Sequence, residues 1–214
     1  MQTQSSAIKT MIMLVTAIAG WFGLILQFYL ILANENSGVS FWGRFFNFFS
    51  FYTIITNILV ALSLSFTLLK SNSRTGLFFR NPVFHTFLAV HILIVGLVYF
   101  FILDSLWKPE GLNWIANVTL HYATPILYTI YWLFFVEKSD LKWKHCLGWL
   151  IYPAVYFIYS IIRGEITKWY PYPFVDVSKS GYPAVLQNAG ILMIVFIIAG
   201  LVFIGVGKLI AGRK

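Results

Sequence analysis

The sequence predicts an all-α integral membrane bundle of six transmembrane helices, with both termini in the cytoplasm. Three observations predict it. Hydrophobic residues make up 59% of the 214 and charged residues only 10%, against roughly 45–50% and about 25% in soluble domains. Six long apolar stretches divide the chain. Nowhere does it alternate in the short segments of about ten residues that mark a membrane barrel. The same balance excludes a soluble enzyme, a disordered tail and a disulfide scaffold, because a soluble fold of this size could not cover so much apolar surface.

The spans are expected at about 10–33, 45–69, 83–103, 114–136, 146–162 and 189–206. The first has only Lys9 before it, is too long for a signal-peptide core and ends without an A-x-A site, so it reads as a retained helix. Four stretches clearly meet the need for about 20 apolar residues, and the last two meet the short end, about 17. With no internal repeat and no low-complexity tract, residues 1–214 read as a single six-helix transmembrane domain.

Charge gives the orientation. Fifteen Lys and Arg stand against seven Asp and Glu, a formal +8. They are scattered singly, with no basic block of the kind nucleic acid requires, so no nucleic-acid partner is expected. With six spans, Lys9, Lys70, Arg74, Arg80, Lys138, Lys142, Lys144, Lys208, Arg213 and Lys214 share the side of the termini. Arg44, Lys108, Arg163, Lys168 and Lys179 lie opposite. Ten against five points that first side to the cytoplasm. Trp42, Trp107, Trp114, Trp143 and Trp169 sit near expected helix ends, where indoles favour the headgroup layer. The lone cysteine, Cys146, has no partner for a disulfide or a zinc site and reads as a small packing residue.

Four connections are short. The fifth, 163–188, contains Trp169-Tyr170-Pro171-Tyr172-Pro173-Phe174. Two prolines in three positions prevent a regular helix and four aromatics hold the segment at the interface. It is either an anchor or a rigid lid over a site that opens outward.

Chemistry in such a chain shows as polar side chains at depths where they are costly. The fourth span carries Asn113, Asn117, His121, Thr124 and Tyr128, spaced four, four, three and four, so all share one helical face. Pro125 removes the main-chain bond to the His121 carbonyl, which predicts a bend just beyond the histidine. The second span carries Ser50, Thr53, Thr56 and Asn57. Hydroxyls bonded to their own i−4 carbonyls and an asparagine tying helices together would explain this stripe without function. The histidine differs, because an ionisable group inside a membrane is a functional hypothesis by default.

Depth connects the stripes. At about 1.5 Å per residue, Thr53 lies about 12 Å below Phe45 and His121 about 10 Å below Trp114. A hydroxyl and an imidazole that meet there can act as nucleophile and base, with Asn57 or Asn117 donating to an oxyanion. Asp104 could orient the imidazole if the bundle brings it close. His85 and His145 read as interfacial surface residues, whereas His91 lies deeper. Arg163 either snorkels or clamps a carboxylate. Tyr152, Tyr156 and Tyr159 share a face that reads as packing, and the Asn117-Val118-Thr119 acceptor triplet is discounted inside a span.

The run FYTIITNILVAL, the LHYATP around His121 and ITKWYPYPFVDV together resemble a bacterial six-helix membrane family often labelled Pr-six-Pr. That family shares a pattern with the eukaryotic androgen-induced proteins, intramembrane threonine hydrolases of fatty acid esters of hydroxy fatty acids. The resemblance covers the second helix to the start of the sixth, with WYPYPF its most specific motif. It implies a multi-pass protein of the bacterial cytoplasmic membrane, with Thr53 as nucleophile and His121 as its base. Pro125 follows His121 by four residues where the eukaryotic pattern has five, and Thr56 is an alternative match to Thr53.

The leading expectation is therefore an intramembrane hydrolase of lipid esters that needs no cofactor or metal. Thr53 and His121 would be catalytic, and Thr56, Asn57, Asn117, Tyr128, Arg163 and Trp169 would hold the substrate. Membrane lipids surround it, and the oligomeric state is left open. Two alternatives stand beside it. One is a haem-binding electron carrier with His91 and His121 as axial ligands. The other is a small transporter or lipid-binding protein without catalysis.

Overall fold

A computed structural model describes residues 2–212, except for the side chains of residues 2–5 and 36. Arg213 and Lys214, two of the ten charges assigned to the side of the termini, lie outside the described residues. Among those described, the regular elements are helices, with no strand. Four helices are long and apolar enough to cross a membrane: Ser6–Ala33, Pro82–Leu103, His145–Thr167 and Val177–Ala211. The pair Phe41–Phe48 and Tyr52–Leu68 meets the same test together, across a 63° bend. The chain forms two compact units, Met1–Asp140 and Leu141–Lys214.

In the first unit, α1 (Gln2–Ala33) packs on α3 (Tyr52–Leu68), α6 (Gly111–Val118) and α7 (Thr124–Phe135). Two glycines allow the approach. A Cβ on Gly20 would sit 3.5 Å from Ala61, and one on Gly23 would come within 2.9 Å of Thr119. Leu24, Phe48, Ile54, Ala61 and Leu120 close the core there.

The second span, expected as one run over 45–69, is broken. Helix α2 (Phe41–Phe48) starts on a Ser40 cap that accepts from the Gly43 N–H at 3.1 Å. It ends where the Ser50 hydroxyl donates to the Phe46 carbonyl at 2.7 Å and the Ser50 N–H turns back to Asn47 at 3.0 Å. Side-chain back-bonding of this kind bends helices. Phe45, Phe48 and Phe49 then gather around Phe28 of α1, with ring centroids 6.0, 4.9 and 6.2 Å away.

Lys70, at φ 48°, closes α3 in the left-handed region, and the Ser71 N–H reaches back to the Phe66 carbonyl. After α4 (Arg74–Phe79), the Asn81 side chain caps α5 (Pro82–Val98), accepting from Val83 and Phe84, with Pro82 at the first helical position. Helix α5 packs on α3 and α7. Indole N–H groups tie neighbours together: Trp21 donates to Ser65 at 3.1 Å and Trp132 to Thr86 at 2.9 Å. Each hydroxyl gives its own proton to its i−4 carbonyl, Ser65 to Ala61 and Thr86 to Pro82. At the end of α7, Lys138 is buried and caps the Trp132, Leu133 and Val136 carbonyls, so it is held inward instead of lying free at the surface.

In the second unit, α8 (His145–Trp149) and α9 (Ile151–Thr167) are separated only by Leu150, and both pack with α10 (Val177–Ala211). Cys146 is buried there, against Gly200, as a packing residue should be. The fifth connection is much shorter than the expected 163–188. Helix α9 continues to Thr167, and α10 begins at Val177 on an Asp176 cap that accepts from the Ser178 N–H at 3.1 Å. Gly181 (φ 74°, ψ 160°) is non-helical, so a kink there divides the first residues of α10 from the rest, with Pro183 just beyond it. Between the helices, the Tyr170 ring fills the space over Gly164, Tyr172 stacks on Phe174 at 5.1 Å, and Pro173–Val175 forms one 3-10 turn.

Candidate functional site

The polar stripe of the expected fourth span lies on three consecutive helical segments of 8, 5 and 12 residues: α6, a π turn at Thr119–Ala123, and α7. The π turn is set by a bond from the Thr124 N–H to the Thr119 carbonyl, one residue wider than an α turn. Pro125 has no N–H to offer the His121 carbonyl. That carbonyl faces Gly96 of α5, where a Cβ would stand 3.1 Å from it. A second π turn, Tyr99–Leu103, continues α5. Such turns recur at functional sites. Here each carries one member of a stacked pair: the Tyr99 and His121 rings lie 4.1 Å apart at 26°.

His121 Nδ1 is 3.1 Å from the Asn117 carbonyl oxygen. A carbonyl only accepts, so Nδ1 carries the proton and Nε2 carries the lone pair. The Asn117 side chain donates to the Tyr99 hydroxyl at 2.6 Å. Asp104 does not orient the imidazole. It accepts from Tyr122 at 3.2 Å, while the imidazole proton goes to the nearer carbonyl of its own helix.

Across from this turn, Thr53, Thr56 and Asn57 of α3 are all buried. The Asn57 amide donates to the Thr53 carbonyl at 2.8 Å and to the Leu120 carbonyl at 3.3 Å. It therefore ties the turn that bears Thr53 to the residue before His121. Both amide hydrogens of Asn57 are taken in this way, so Asn117 is the side-chain amide with a hydrogen still to give.

The remaining residues lie elsewhere. Tyr128 belongs to a second buried cluster, and Asn113 is exposed at the start of α6. Tyr128 lies 2.8 Å from Nδ1 of His85, Thr67 is 3.2 Å from Nε2, and Ser63 also faces the ring. His85 is 3% exposed, not the surface residue its position near a helix start suggested. Three hydroxyls from α3 and α7 satisfy it there. His91 is buried with Nδ1 3.0 Å from the Tyr52 hydroxyl, its ring edge-on to Phe87 at 4.2 Å. Arg163 and Trp169 do come together, in the second unit, with the guanidinium 4.7 Å over the indole. Among the described residues, no three His, Cys, Asp or Glu side chains converge as a metal site would need.

Sequence reading missed Tyr99 and the His85 cluster. Tyr99 stands in an apolar run, and only its place three-dimensionally opposite His121 gives it meaning.

These features define an all-helical chain with four or five helices suited to a membrane and a half-buried imidazole on a π turn. The chain matches no protein-family model, no curated protein and no solved structure.

Proposed function

We propose that this is an intramembrane hydrolase of lipid esters in which His121 Nε2 is the general base and Thr53 the nucleophile. The observation that supports it best is the His121 tautomer: Nδ1–H on the Asn117 carbonyl leaves Nε2 unprotonated. Helical side chains lean toward the N-terminus. The imidazole therefore reaches back about one turn, while Asn57 ties Leu120 to a residue one turn beyond Thr53. The Asn57 link between the turn that bears Thr53 and the residue before His121 supports pairing the two groups.

In this reading the Thr53 hydroxyl attacks the ester carbonyl and its proton passes to Nε2. Collapse of the tetrahedral intermediate breaks the C–O bond, and Nε2 returns the proton to the departing alkoxide. Water then attacks the acyl-threonine, again giving its proton to Nε2, and releases fatty acid and free Thr53. The remaining Asn117 N–H is the donor for the oxyanion. Thr56 is the alternative nucleophile, and Arg163 on Trp169 suits a carboxylate. The reading includes six spans with both termini in a bacterial cytoplasm, the fourth span being 111–135.

Purified protein should hydrolyse a fluorogenic long-chain ester. Thr53→Ala and His121→Ala should each lower kcat by about 10²–10⁴-fold. A Thr56→Ala loss with Thr53→Ala intact would move the nucleophile by one turn. Full turnover in His121→Ala would sink the mechanism.

A further inference from the structure

The π turn Thr119–Ala123 changes which donor each carbonyl finds. In an α turn the Leu120 oxygen would accept from the Thr124 N–H, four residues on. Here that N–H goes to Thr119 instead, and Pro125, the next residue, has no N–H to give. The donor at Leu120 comes from another helix: the Asn57 amide of α3, at 3.3 Å. Its other hydrogen goes to the Thr53 carbonyl at 2.8 Å. Asn57 is fully buried and its side-chain oxygen has no partner among the described residues, so the amide bonds through its N–H groups alone.

The Leu120 bond distinguishes two registers. A buried carbonyl without a donor is costly, so a π turn at this place is favoured while a group outside the helix fills Leu120. In the α alternative Thr124 fills Leu120 itself, and the Asn57 bond is no longer needed. Close packing suits the same turn: a Cβ on Gly23 of α1 would stand 2.9 Å from Thr119 and 3.0 Å from Leu120, so the glycine leaves room for both. Register matters to the imidazole because one residue is a step of about 100° around a helix. Loss of the π turn rotates α6 against α7 by about that step, and the His121 ring leaves the Tyr99 face on which it stacks at 4.1 Å.

We propose that Asn57 is a positioning residue for His121. By filling the Leu120 carbonyl from α3 it keeps Thr124 bonded to Thr119, and so keeps the ring on Tyr99. The register stands by itself; its effect on turnover rests on the hydrolase reading.

NMR of the full chain in nanodiscs tests it. Leu120–His121 is the one Leu-His pair in the sequence, so ¹³C-leucine with ¹⁵N-histidine singles out the Leu120 carbonyl. The His121 ring signals are assigned by their loss in His121→Ala. Asn57→Leu removes both donors. Asn57→Ser re-forms the Thr53 contact through a hydroxyl bond to its own i−4 carbonyl and loses only the reach to Leu120. In both variants the Leu120 carbonyl signal should shift, the His121 ring protons should move downfield as they leave the Tyr99 face, and kcat should fall about 10²-fold. Thr86→Val breaks a different tie between helices, the one from Trp132, and should lower Tm while moving none of these. Unmoved His121 signals in Asn57→Leu overturn the proposal, and Asn57→Ser decides in the same way if Asn57→Leu does not fold. Equal movement in Thr86→Val overturns it too, since any loosened tie would then suffice. A wild type that hydrolyses no ester, with His121 signals that move in Asn57→Leu, keeps the register and loses the hydrolase reading. Turnover in the wild type with unmoved signals in Asn57→Leu does the opposite.

Discussion

His85 is buried and His121 half-buried, and their neighbours give the two imidazoles opposite characters. The proton of His121 is committed to the Asn117 carbonyl on Nδ1, which leaves Nε2 able to take one. At His85 every partner is occupied. Ser63 gives its proton to the Phe79 carbonyl at 2.7 Å and Thr67 to the Ser63 carbonyl at 2.7 Å, so Nε2–H must donate to Thr67. Nδ1 then accepts from the Tyr128 hydroxyl. A histidine with both nitrogens satisfied is a structural lock. Among the described residues Tyr128 supplies the O–H that donates to Nδ1, and Tyr128→Phe should cost about 1–2 kcal/mol. A thermal melt should show a fall of several degrees with the activity per folded molecule unchanged; an unchanged Tm would mean the lock carries no stability. Tyr99 works differently, since it holds the His121 ring by its face and Asn117 by its hydroxyl. Tyr99→Phe keeps the face and should preserve the His121 tautomer seen by ¹⁵N NMR. Tyr99→Leu removes both contacts and should mix the two tautomers.

At the scale of elements, close approach between α5 and α7 positions the π turn. Gly96 makes that possible, since any Cβ there would meet the His121 carbonyl at 3.1 Å and Pro125 at 3.2 Å. Gly96→Ala needs only a few tenths of an ångström of adjustment, whereas Gly96→Leu overpacks the contact and should cost about 1–3 kcal/mol. Circular dichroism melts of the two variants check this, and equal Tm values would remove Gly96 from the argument. Helix existence here was legible from apolar runs alone, and the stripes that carry the site were legible from spacing. Three things were not. The break at Phe49–Phe51 depends on Ser50 reaching Phe46 and on phenylalanines finding Phe28 of another helix. The extension of α9 to Thr167 and the start of α10 at Val177 depend on Tyr170 filling the space over Gly164 and on the Asp176 cap. The π turns depend on which carbonyl each N–H selects, a choice that periodicity does not record.

For the whole molecule, hydropathy and polarity pull in opposite directions on one helix. The segment from Gly111 to Phe135 is continuous enough to span about 30 Å at about 1.5 Å per residue. Yet with its polar stripe it is not among the helices apolar enough to cross a membrane on length and composition alone. Those side chains are buried or half-buried against α3 and α5, so the protein and not the lipid solvates them. A polar stripe covered in this way leaves an apolar outer face, with Trp114, Ile126, Ile130 and Phe134 exposed. The proposed crossing of this helix is therefore compatible with its polarity, and it has a direct consequence. Lys108 and Lys142, both exposed, lie in the connections on either side of this segment. In a Cys146→Ser background, Lys108→Cys should react with a membrane-impermeant maleimide added to intact cells, and Lys142→Cys should react only after the cells are opened. The reverse pattern would invert the orientation while keeping the span. Labelling of both from the same side would show that the helix bearing His121 does not cross, and the proposed intramembrane hydrolysis would lose the position its base requires.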